Sequence, residues 1–270
     1  MSYWHALIMG ILQGLTEFLP VSSSGHLALG RHILGLEVTG ITFEVLVHTG
    51  TLVSVLVVFG SEVRRILSAL YRGIRHRDGG FWAHPDRRLA AMLLAGSTVT
   101  GAVALYLEEV ATGYFQRPEM VGLFWILTGL VLFSSRLAVR ALAFGSRVGL
   151  WQALLVGLAQ GLAVIPGVSR SGLTITAGLW AGLDRPTSAR FSFLLAVPAI
   201  LAATGSDLWR SWGTDPYRLS GPYIVGFVAA EVSGYVAIKV LLRVLETGHL
   251  GRFGYYCVGA GLIALLLGLS

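Results

Sequence analysis

Six long apolar segments constrain this chain more than any other feature of its sequence. A helix needs about 20 predominantly apolar residues to cross the hydrocarbon core of a bilayer. The 270 residues are 54% hydrophobic and only 13% charged, with a mean hydropathy of +0.72, which excludes an ordinary soluble globular protein. The sequence therefore predicts an all-α integral membrane protein. Its spanning helices are expected near residues 41–60, 89–107, 120–137, 191–208, 222–242 and 253–269.

Two further segments are apolar but interrupted. Residues 2–35 and 149–183 carry Pro, Gly and Ser at their centres. A helix, a break and a second helix can enter and leave on the same membrane face, provided that the irregular backbone is buried in protein or lines a cavity. We therefore expect each segment to form a re-entrant helical hairpin.

The two interrupted segments share a sequence. QGLTEFLPVSSSGH, at residues 13–26, recurs in altered form as QGLAVIPGVSRSGLT, at residues 160–174, and their matching Gln, Ser and Gly residues stand 147 positions apart. Three predicted spans follow each break, and this odd number turns the second half upside down relative to the first. We predict an inverted repeat of residues 1–148 and 149–270, an arrangement that often holds a substrate site near mid-membrane.

The basic residues are distributed unevenly among the predicted loops. Lys and Arg accumulate in cytoplasmic loops, and 15 of the 20 lie in four of them. The sequence predicts that these four loops face the cytoplasm and that both chain ends lie outside. We interpret the formal net charge of +6 as this topology signal, which also attracts anionic lipid head groups, and not as a nucleic-acid surface. The four loops are residues 61–88, 136–148, 184–190 and 239–252.

Serines and glycines follow the proline of each break, where a second helix is expected to begin. Serine is a common N-cap, and the free N–H groups and positive dipole end of a helix start bind anions. Two helix starts that meet inside the protein favour a phosphate-bearing ligand. Helix capping alone explains Ser22, Ser24, Ser169 and Ser171 nearly as well. The expected ligand contacts are Gln13, Ser22, Ser24, Gly25, Ser169, Ser171, Gly172 and Thr174.

Three ionisable residues inside the hairpins are the strongest functional candidates: Glu17, His26 and Arg170. Ionisable groups are costly in lipid and indicate function by default. The planar guanidinium of Arg170 suits two phosphate oxygens, so its expected partner is the substrate, with Glu17 second. Other ionisable residues in predicted spans lack a recurring motif, and we interpret them as hydrogen-bond partners or cavity lining: Glu44, His48 and Glu231.

The motifs EFLPVSSSGH, ending at His26, and PGVSRSGLT, ending at Thr174, closely resemble those of the undecaprenyl-diphosphate phosphatase family, which is associated with bacitracin resistance. The resemblance extends over essentially the whole chain in length, hydropathy and motif placement. It implies an enzyme of the bacterial cytoplasmic (inner) membrane that hydrolyses undecaprenyl diphosphate to undecaprenyl phosphate and inorganic phosphate. This reaction recycles the lipid carrier of cell-wall synthesis, and the resemblance implies a site open toward the periplasm.

A serine mechanism follows from these residues. Ser23 is expected to attack the terminal phosphorus, with Arg170 and the helix starts stabilising the equatorial oxygens. Glu17 and His26 are both candidates for the base, and His26 is also a candidate acid or alternative nucleophile. The family commonly has Glu where this chain has Gln13, which weakens a two-carboxylate metal site. Glu17 and a diphosphate can still hold Mg²⁺ or Ca²⁺ through oxygen ligands.

Three alternatives compete with this interpretation. A polyprenyl-phosphate flippase or transporter is the first, because inverted repeats with broken helices are typical of carriers. The second is the type-2 phosphatidic acid phosphatase superfamily, which also uses SGH and SR fragments. Its nucleophilic histidine should follow the SR fragment closely, whereas the next histidine after Arg170 is His249, in a predicted cytoplasmic loop, so the spacing does not fit. A structural scaffold leaves a buried Arg170 without a purpose. Association as a homodimer is left open.

Overall fold

The computed structural model describes residues 1–36, 41–76, 82, 84–115, 118–141, 145–210 and 220–266. Over this part of the chain the protein is helical and contains no β-strand, which confirms the all-α prediction. The helices are α1 Tyr3–Phe18, α2 Ser23–Ile33, α3 Ile41–His76, α4 Pro85–Phe115, α5 Pro118–Ala141, α6 Leu150–Leu162, α7 Arg170–Trp180, α8 Arg185–Arg210, α9 Gly221–Glu246 and α10 Arg252–Leu266.

Five of these helices, α3, α4, α5, α8 and α9, are long and apolar enough to cross a membrane. They coincide with the first five predicted spans and define a multi-pass membrane protein. The sixth predicted span, residues 253–269, corresponds to the shorter apolar helix α10 of 15 residues, and its last part lies outside the described residues.

The arginine-rich segment that follows the first predicted span is not the solvated loop that its composition suggests. Helix α3 continues to His76, with a non-helical residue at Phe59 (φ −107°, ψ 15°) near the end of the apolar stretch. Arg64 and Arg65 therefore project from an exposed helical extension. Hydropathy detects only the part of a helix that lies in lipid, whereas helical hydrogen bonding continues wherever the side chains tolerate water.

Both interrupted segments form two short helices separated by a break. The first break separates Phe18 from Ser23, and the second separates Leu162 from Arg170. Each break contains a proline, Pro20 in the first and Pro166 in the second. Proline interrupts a helix because it lacks the N–H that an interior helical position needs. In the second break Gly167 has φ +86°, a left-handed conformation that glycine adopts without a steric penalty. The helix–break–helix pattern predicted for both segments is therefore present.

Each interrupted segment is held by close contact between glycines and a long helix of the other half. Gly10 and Gly14 of α1 face α9, where a Cβ on Gly14 would lie 2.4 Å from the Ala230 carbonyl oxygen. Gly157 and Gly161 of α6 face α4, and a Cβ on Gly157 would lie 2.4 Å from a backbone oxygen of that helix. In lipid, small residues drive helix association because they let backbones approach closely. The two pairs stand 147 residues apart, the same offset as the repeated motif.

We predict that Gly157→Ala lowers the thermal stability of the protein in detergent. The added methyl group must displace backbone of α4, and such overpacking costs about 1–3 kcal/mol. Gly101→Ala on α4 is the matched control, because nothing lies within 4 Å of a Cβ at that position. Its melting temperature should stay the same or rise, since alanine favours helix over glycine. Equal melting temperatures for the two variants would contradict close packing at Gly157.

Candidate functional site

The carboxylate of Glu17 is the centre of the site. It lies in the last turn of α1 and is buried. Its Oε2 accepts a hydrogen bond from Gln13 Nε2 at 3.0 Å and a second from Ser23 Oγ at 2.8 Å. Its Oε1 accepts from Arg170 Nη2 at 2.6 Å, which forms an ion pair. One carboxylate therefore joins the end of α1, the start of α2 and the start of α7.

The spacing of residues in the first interrupted segment explains why Gln13, Glu17 and Ser23 lie close together. Gln13 and Glu17 are one helical turn apart, so their side chains lie on the same face of α1. Ser23 is the first residue of α2, directly after the break. Arg170 opens α7 in the same way but comes from the other half of the chain. The two breaks are in direct contact, since the Gly167 N–H donates to Ser24 Oγ at 3.2 Å.

Two buried polar atoms at this centre have no hydrogen-bond partner within the described part of the chain. One is Arg170 Nη1, and the other is Gln13 Oε1. Burying an unpaired donor or acceptor costs about 1–3 kcal/mol, so each such atom needs an explanation. A guanidinium N–H donor and an amide oxygen acceptor beside the same carboxylate are the groups that an incoming polar ligand would satisfy.

The start of α2 is strained. Ser22 has φ 68° and ψ 104°, and it is the one non-glycine residue with positive φ among those described. Strained backbone costs about 1–3 kcal/mol and is concentrated at functional sites. Ser22 occupies the N-cap position but forms no capping hydrogen bond; its hydroxyl lies 3.2 Å from that of Ser24 instead. The neighbouring Gly25 lies against Trp125, where a Cβ would come within 2.8 Å of the indole ring.

The start of α7 is a regular N-terminus. Ser169 Oγ accepts a hydrogen bond from the Gly172 N–H at 3.2 Å, as an N-cap does, and lies 3.3 Å from the Ser171 hydroxyl. Thr174 donates to the Arg170 carbonyl at 2.8 Å and lies 2.6 Å from the Ser192 hydroxyl. These hydroxyl groups have protein partners that fix the helix start. Their expected contacts with a ligand stay a prediction.

His26 lies between two aromatic rings, one turn of α2 after Ser23. Its ring centroid is 4.9 Å from Trp125 and 5.7 Å from Tyr256. His26 Nδ1 lies 2.7 Å from the Ser22 carbonyl oxygen, which can only accept, so this nitrogen carries the proton. His26 Nε2, at 2.6 Å from the Tyr256 hydroxyl, therefore accepts from it. Both ring nitrogens have partners.

Sequence reasoning missed two residues at this site. Tyr256 stands 230 positions from His26, and no motif in the sequence connects the two. His48 Nε2 lies 3.9 Å from Glu17 Oε2, while its Nδ1 contacts the Glu44 carbonyl at 2.8 Å. The only signal for His48 was an ionisable residue inside a predicted span.

The repeat supplies different chemistry in its two halves. Gln160 is the counterpart of Gln13, yet its amide donates to the Leu195 carbonyl at 3.1 Å and to Thr100 at 3.4 Å. Gln160 therefore ties α6 to α8 and α4 instead of orienting a carboxylate. Over the residues that the structure describes, there is no cluster of three or more His, Cys, Asp or Glu side chains that could hold a metal ion.

The fold and this site define a class of protein: a multi-pass membrane protein with a buried polar centre made of a carboxylate, a serine and an arginine between two helix starts. Residues 6–263 match the family described as bacitracin resistance protein BacA. The chain belongs to this family.

Three relatives of the chain share one name. It is 40% identical over 273 residues to the undecaprenyl-diphosphatase of Desulfosudis oleivorans, with 98% of each chain covered. It is 40% identical over 271 residues to the undecaprenyl-diphosphatase of Carboxydothermus hydrogenoformans, which covers 99% of this chain and 98% of the relative. The protein of the same name from Methanobrevibacter smithii is 38% identical over 97% of this chain and 96% of its own length.

We predict strong energetic coupling between Glu17 and Arg170. Replacing one member of a buried ion pair leaves the other charge unpaired and costs about 3–5 kcal/mol. The losses of stability in Glu17→Gln and Arg170→Gln should therefore add up to more than the loss in the double variant. Thermal unfolding of the four proteins in detergent measures this coupling. The more exposed and longer pair of Arg65 and Asp86, 4.0 Å apart, is the control, with coupling below about 1 kcal/mol. Similar coupling in both pairs would contradict a buried interaction at Glu17.

Proposed function

We propose that this protein is a membrane phosphatase that hydrolyses undecaprenyl diphosphate to undecaprenyl phosphate and inorganic phosphate, and so recycles the lipid carrier of cell-wall synthesis. Its relatives are named undecaprenyl-diphosphatase and cover nearly the whole chain. The observation that carries the proposal is the convergence of Ser23 and Arg170 on Glu17. This arrangement provides a nucleophile, a base and a cation where two helix N-termini meet.

The terminal phosphate is proposed to bind between the starts of α2 and α7. Helix N-termini present free N–H groups and a positive partial charge to an anion. Arg170 Nη2 is engaged by Glu17, but its buried Nη1 has no partner among the described residues and is available to a phosphate oxygen. Backbone N–H groups and the arginine would then stabilise the charge that develops on the equatorial oxygens.

Ser23 is proposed as the nucleophile and Glu17 as its base. The hydroxyl donates to the carboxylate at 2.8 Å, within the range required for proton transfer. The Ser23 Oγ–phosphorus bond forms as the bond to the bridging oxygen breaks, the serine proton passes to Glu17, and lipid phosphate leaves. Water then attacks the phosphorus of the phosphoserine and the Oγ–phosphorus bond breaks. Glu17 returns the first proton to Ser23 Oγ, accepts one from the attacking water and later loses it to solvent, and inorganic phosphate leaves.

The alternative with His26 as base or nucleophile is less well supported by the geometry. Its Nδ1 is bound to the Ser22 carbonyl, and its Nε2 has to break the hydrogen bond with Tyr256 before it can act. The aromatic pocket around His26 instead suits a positioning role at the start of α2, one turn from Ser23. A helix start that is held rigidly keeps the nucleophile aligned.

A divalent cation, Mg²⁺ or Ca²⁺, is proposed to accompany the diphosphate. The protein oxygens suited to hold it are the Glu17 carboxylate and the buried Gln13 Oε1, which has no partner among the described residues, with phosphate oxygens completing the shell. When bound, the ion would neutralise part of the substrate charge. Gln13 cannot add the second negative charge of a two-carboxylate site, so the cation is expected to depend on the substrate for binding.

The topology is proposed to be an inverted repeat of residues 1–148 and 149–270, with both interrupted segments re-entrant. Mirrored packing supports this, because α1 packs on α9 as α6 packs on α4, and α3 packs on α8. The ends of the second hairpin are adjacent: Gly145 donates to the Gly182 carbonyl at 2.9 Å and accepts from the Asp184 N–H at 3.1 Å. The basic loops are proposed to be cytoplasmic and the site to open toward the periplasm.

We predict that purified protein in detergent releases phosphate from polyprenyl diphosphate. Arg170→Ala, Glu17→Ala and Ser23→Ala should each lower kcat/KM at least about 100-fold, because each removes a group that acts on the transition state. Arg72→Ala, which removes an exposed arginine outside the site, should retain activity. A chelator should slow the reaction, and added Mg²⁺ or Ca²⁺ should restore it.

Binding of polyprenyl diphosphate without phosphate release would favour a flippase or transporter instead. Full activity in Arg170→Ala would contradict the proposed site, whatever the substrate.

We predict a covalent phosphoenzyme on Ser23. Rapid quenching with terminally labelled substrate should trap label that survives acid and is lost in alkali, as a phosphoserine ester does. Ser23→Ala should abolish this label, while the control Ser68→Ala, at an exposed serine outside the site, retains it. Acid-labile label that persists in Ser23→Ala and disappears in His26→Ala would assign the nucleophile to His26.

A further inference from the structure

A cavity separate from the Glu17 site is lined by residues of three of the predicted basic loops. It has a volume of about 310 Å³ and is formed by the C-terminal ends of α5, α7 and α9, the start of α8 and the turn between α9 and α10. Leu179 of α7 lines it, whereas Arg170 of the same helix belongs to the site described above. Nine residues of α-helix separate the two positions by about 14 Å along the axis.

Two arginines and a histidine line this cavity: Arg136, Arg185 and His249. Among the described residues neither arginine forms an ion pair, whereas Arg31, Arg65, Arg170 and Arg190 each lie within 4.0 Å of a carboxylate. The adjacent Asp184 accepts a hydrogen bond from the Thr187 N–H at 2.8 Å and so caps α8. Converging cations without a carboxylate repel one another, and an anion in the cavity would relieve the repulsion.

The turn between α9 and α10 is shaped around these two guanidinium groups. A Cβ on Gly248, which has φ +75°, would lie 2.9 Å from Arg185 Nη2. A Cβ on Gly251 would lie 2.6 Å from Arg136 Nε. Arg136 also lies over the ring of Tyr255, with its Cζ 5.6 Å from the ring centroid. Side chains held in this way lose less entropy when they bind a ligand.

The rest of the lining indicates an amphipathic ligand. Leucines complete the wall, one each from α7, α9 and the following turn: Leu179, Leu245 and Leu250. Basic pockets between membrane helices on the cytoplasmic side are known binding sites for lipid head groups. The neighbouring Trp180 is partly exposed, as is common for tryptophan at a membrane interface.

We infer that this cavity binds the terminal phosphate group of a membrane lipid, with Arg136 and Arg185 on the phosphate oxygens and the leucines against the first part of the hydrocarbon chain. Two arginines match the charge of a phosphate monoester, and their planar forks can contact two oxygens each. The proposal does not depend on the hydrolytic function, since it rests on residues at the other end of α7.

Native mass spectrometry of the purified full-length protein tests this inference with three probes: dioleoyl phosphatidic acid, dioleoyl phosphatidylcholine and inorganic phosphate. We expect phosphatidic acid to bind, with the dissociation constant raised at least about tenfold in Arg136→Gln/Arg185→Gln. The matched control, Arg72→Gln/Arg75→Gln, removes the same charge from the exposed extension of α3 and should bind as the unaltered protein does. Phosphatidic acid held at the Glu17 site is recognised separately, because Arg170→Ala should remove that adduct and leave the other.

Equal weakening in the control would overturn the inference, since binding would then reflect surface charge alone. Tighter binding of inorganic phosphate than of phosphatidic acid would also overturn it, because the leucine wall would have no role, and so would equal binding of phosphatidylcholine. A photoreactive phosphatidic acid makes the test independent of variant folding. Cross-links in the unaltered protein should map to the α9–α10 turn and the end of α5, and their absence there would contradict the site.

Discussion

The buried ion pair between Glu17 and Arg170 is the interaction on which the rest of the site depends. Either charge alone would be costly in an apolar interior, and together they satisfy each other at 2.6 Å. Because each partner comes from a different half of the chain, the pair forms only when the two breaks meet. The contact that removes this cost also brings the Ser23 hydroxyl and the starts of α2 and α7 to one place. Packing of the two interrupted segments and assembly of the site are therefore linked.

Two sets of glycine contacts hold the interrupted segments against the long helices. The small residues of α1 pack against α9, and those of α6 pack against α4. Hydrophobic burial gives no such specificity in lipid, where the surroundings are as apolar as the side chains. Close backbone packing takes over this role, and it occurs in both halves of the sequence.

The two halves of the sequence contribute different side chains to the site. Val164 stands at the position equivalent to Glu17, and Arg170 stands at the position equivalent to Ser23. A fully symmetric pair of motifs would bring like groups together at the centre, and like charges in a low-dielectric site repel. One half instead supplies the carboxylate and hydroxyl, and the other supplies the cation. The second glutamine, Gln160, donates a hydrogen bond from α6 to α8 instead of orienting a carboxylate.

The sequence by itself determined the class of protein, five of the spans, the two breaks and the one-turn spacing of Gln13 and Glu17. Each follows from local rules: the length of an apolar run, the missing N–H of proline, and the spacing of one helical turn. The end of α3 at His76 was missed, because hydropathy reports lipid contact and not helical continuity.

Only the tertiary structure decided that Tyr256 holds His26, that His48 approaches Glu17, and that Arg136 and Arg185 share a cavity. These partners come from different helices, and which helix faces meet depends on the packing of the whole bundle, which no local pattern encodes.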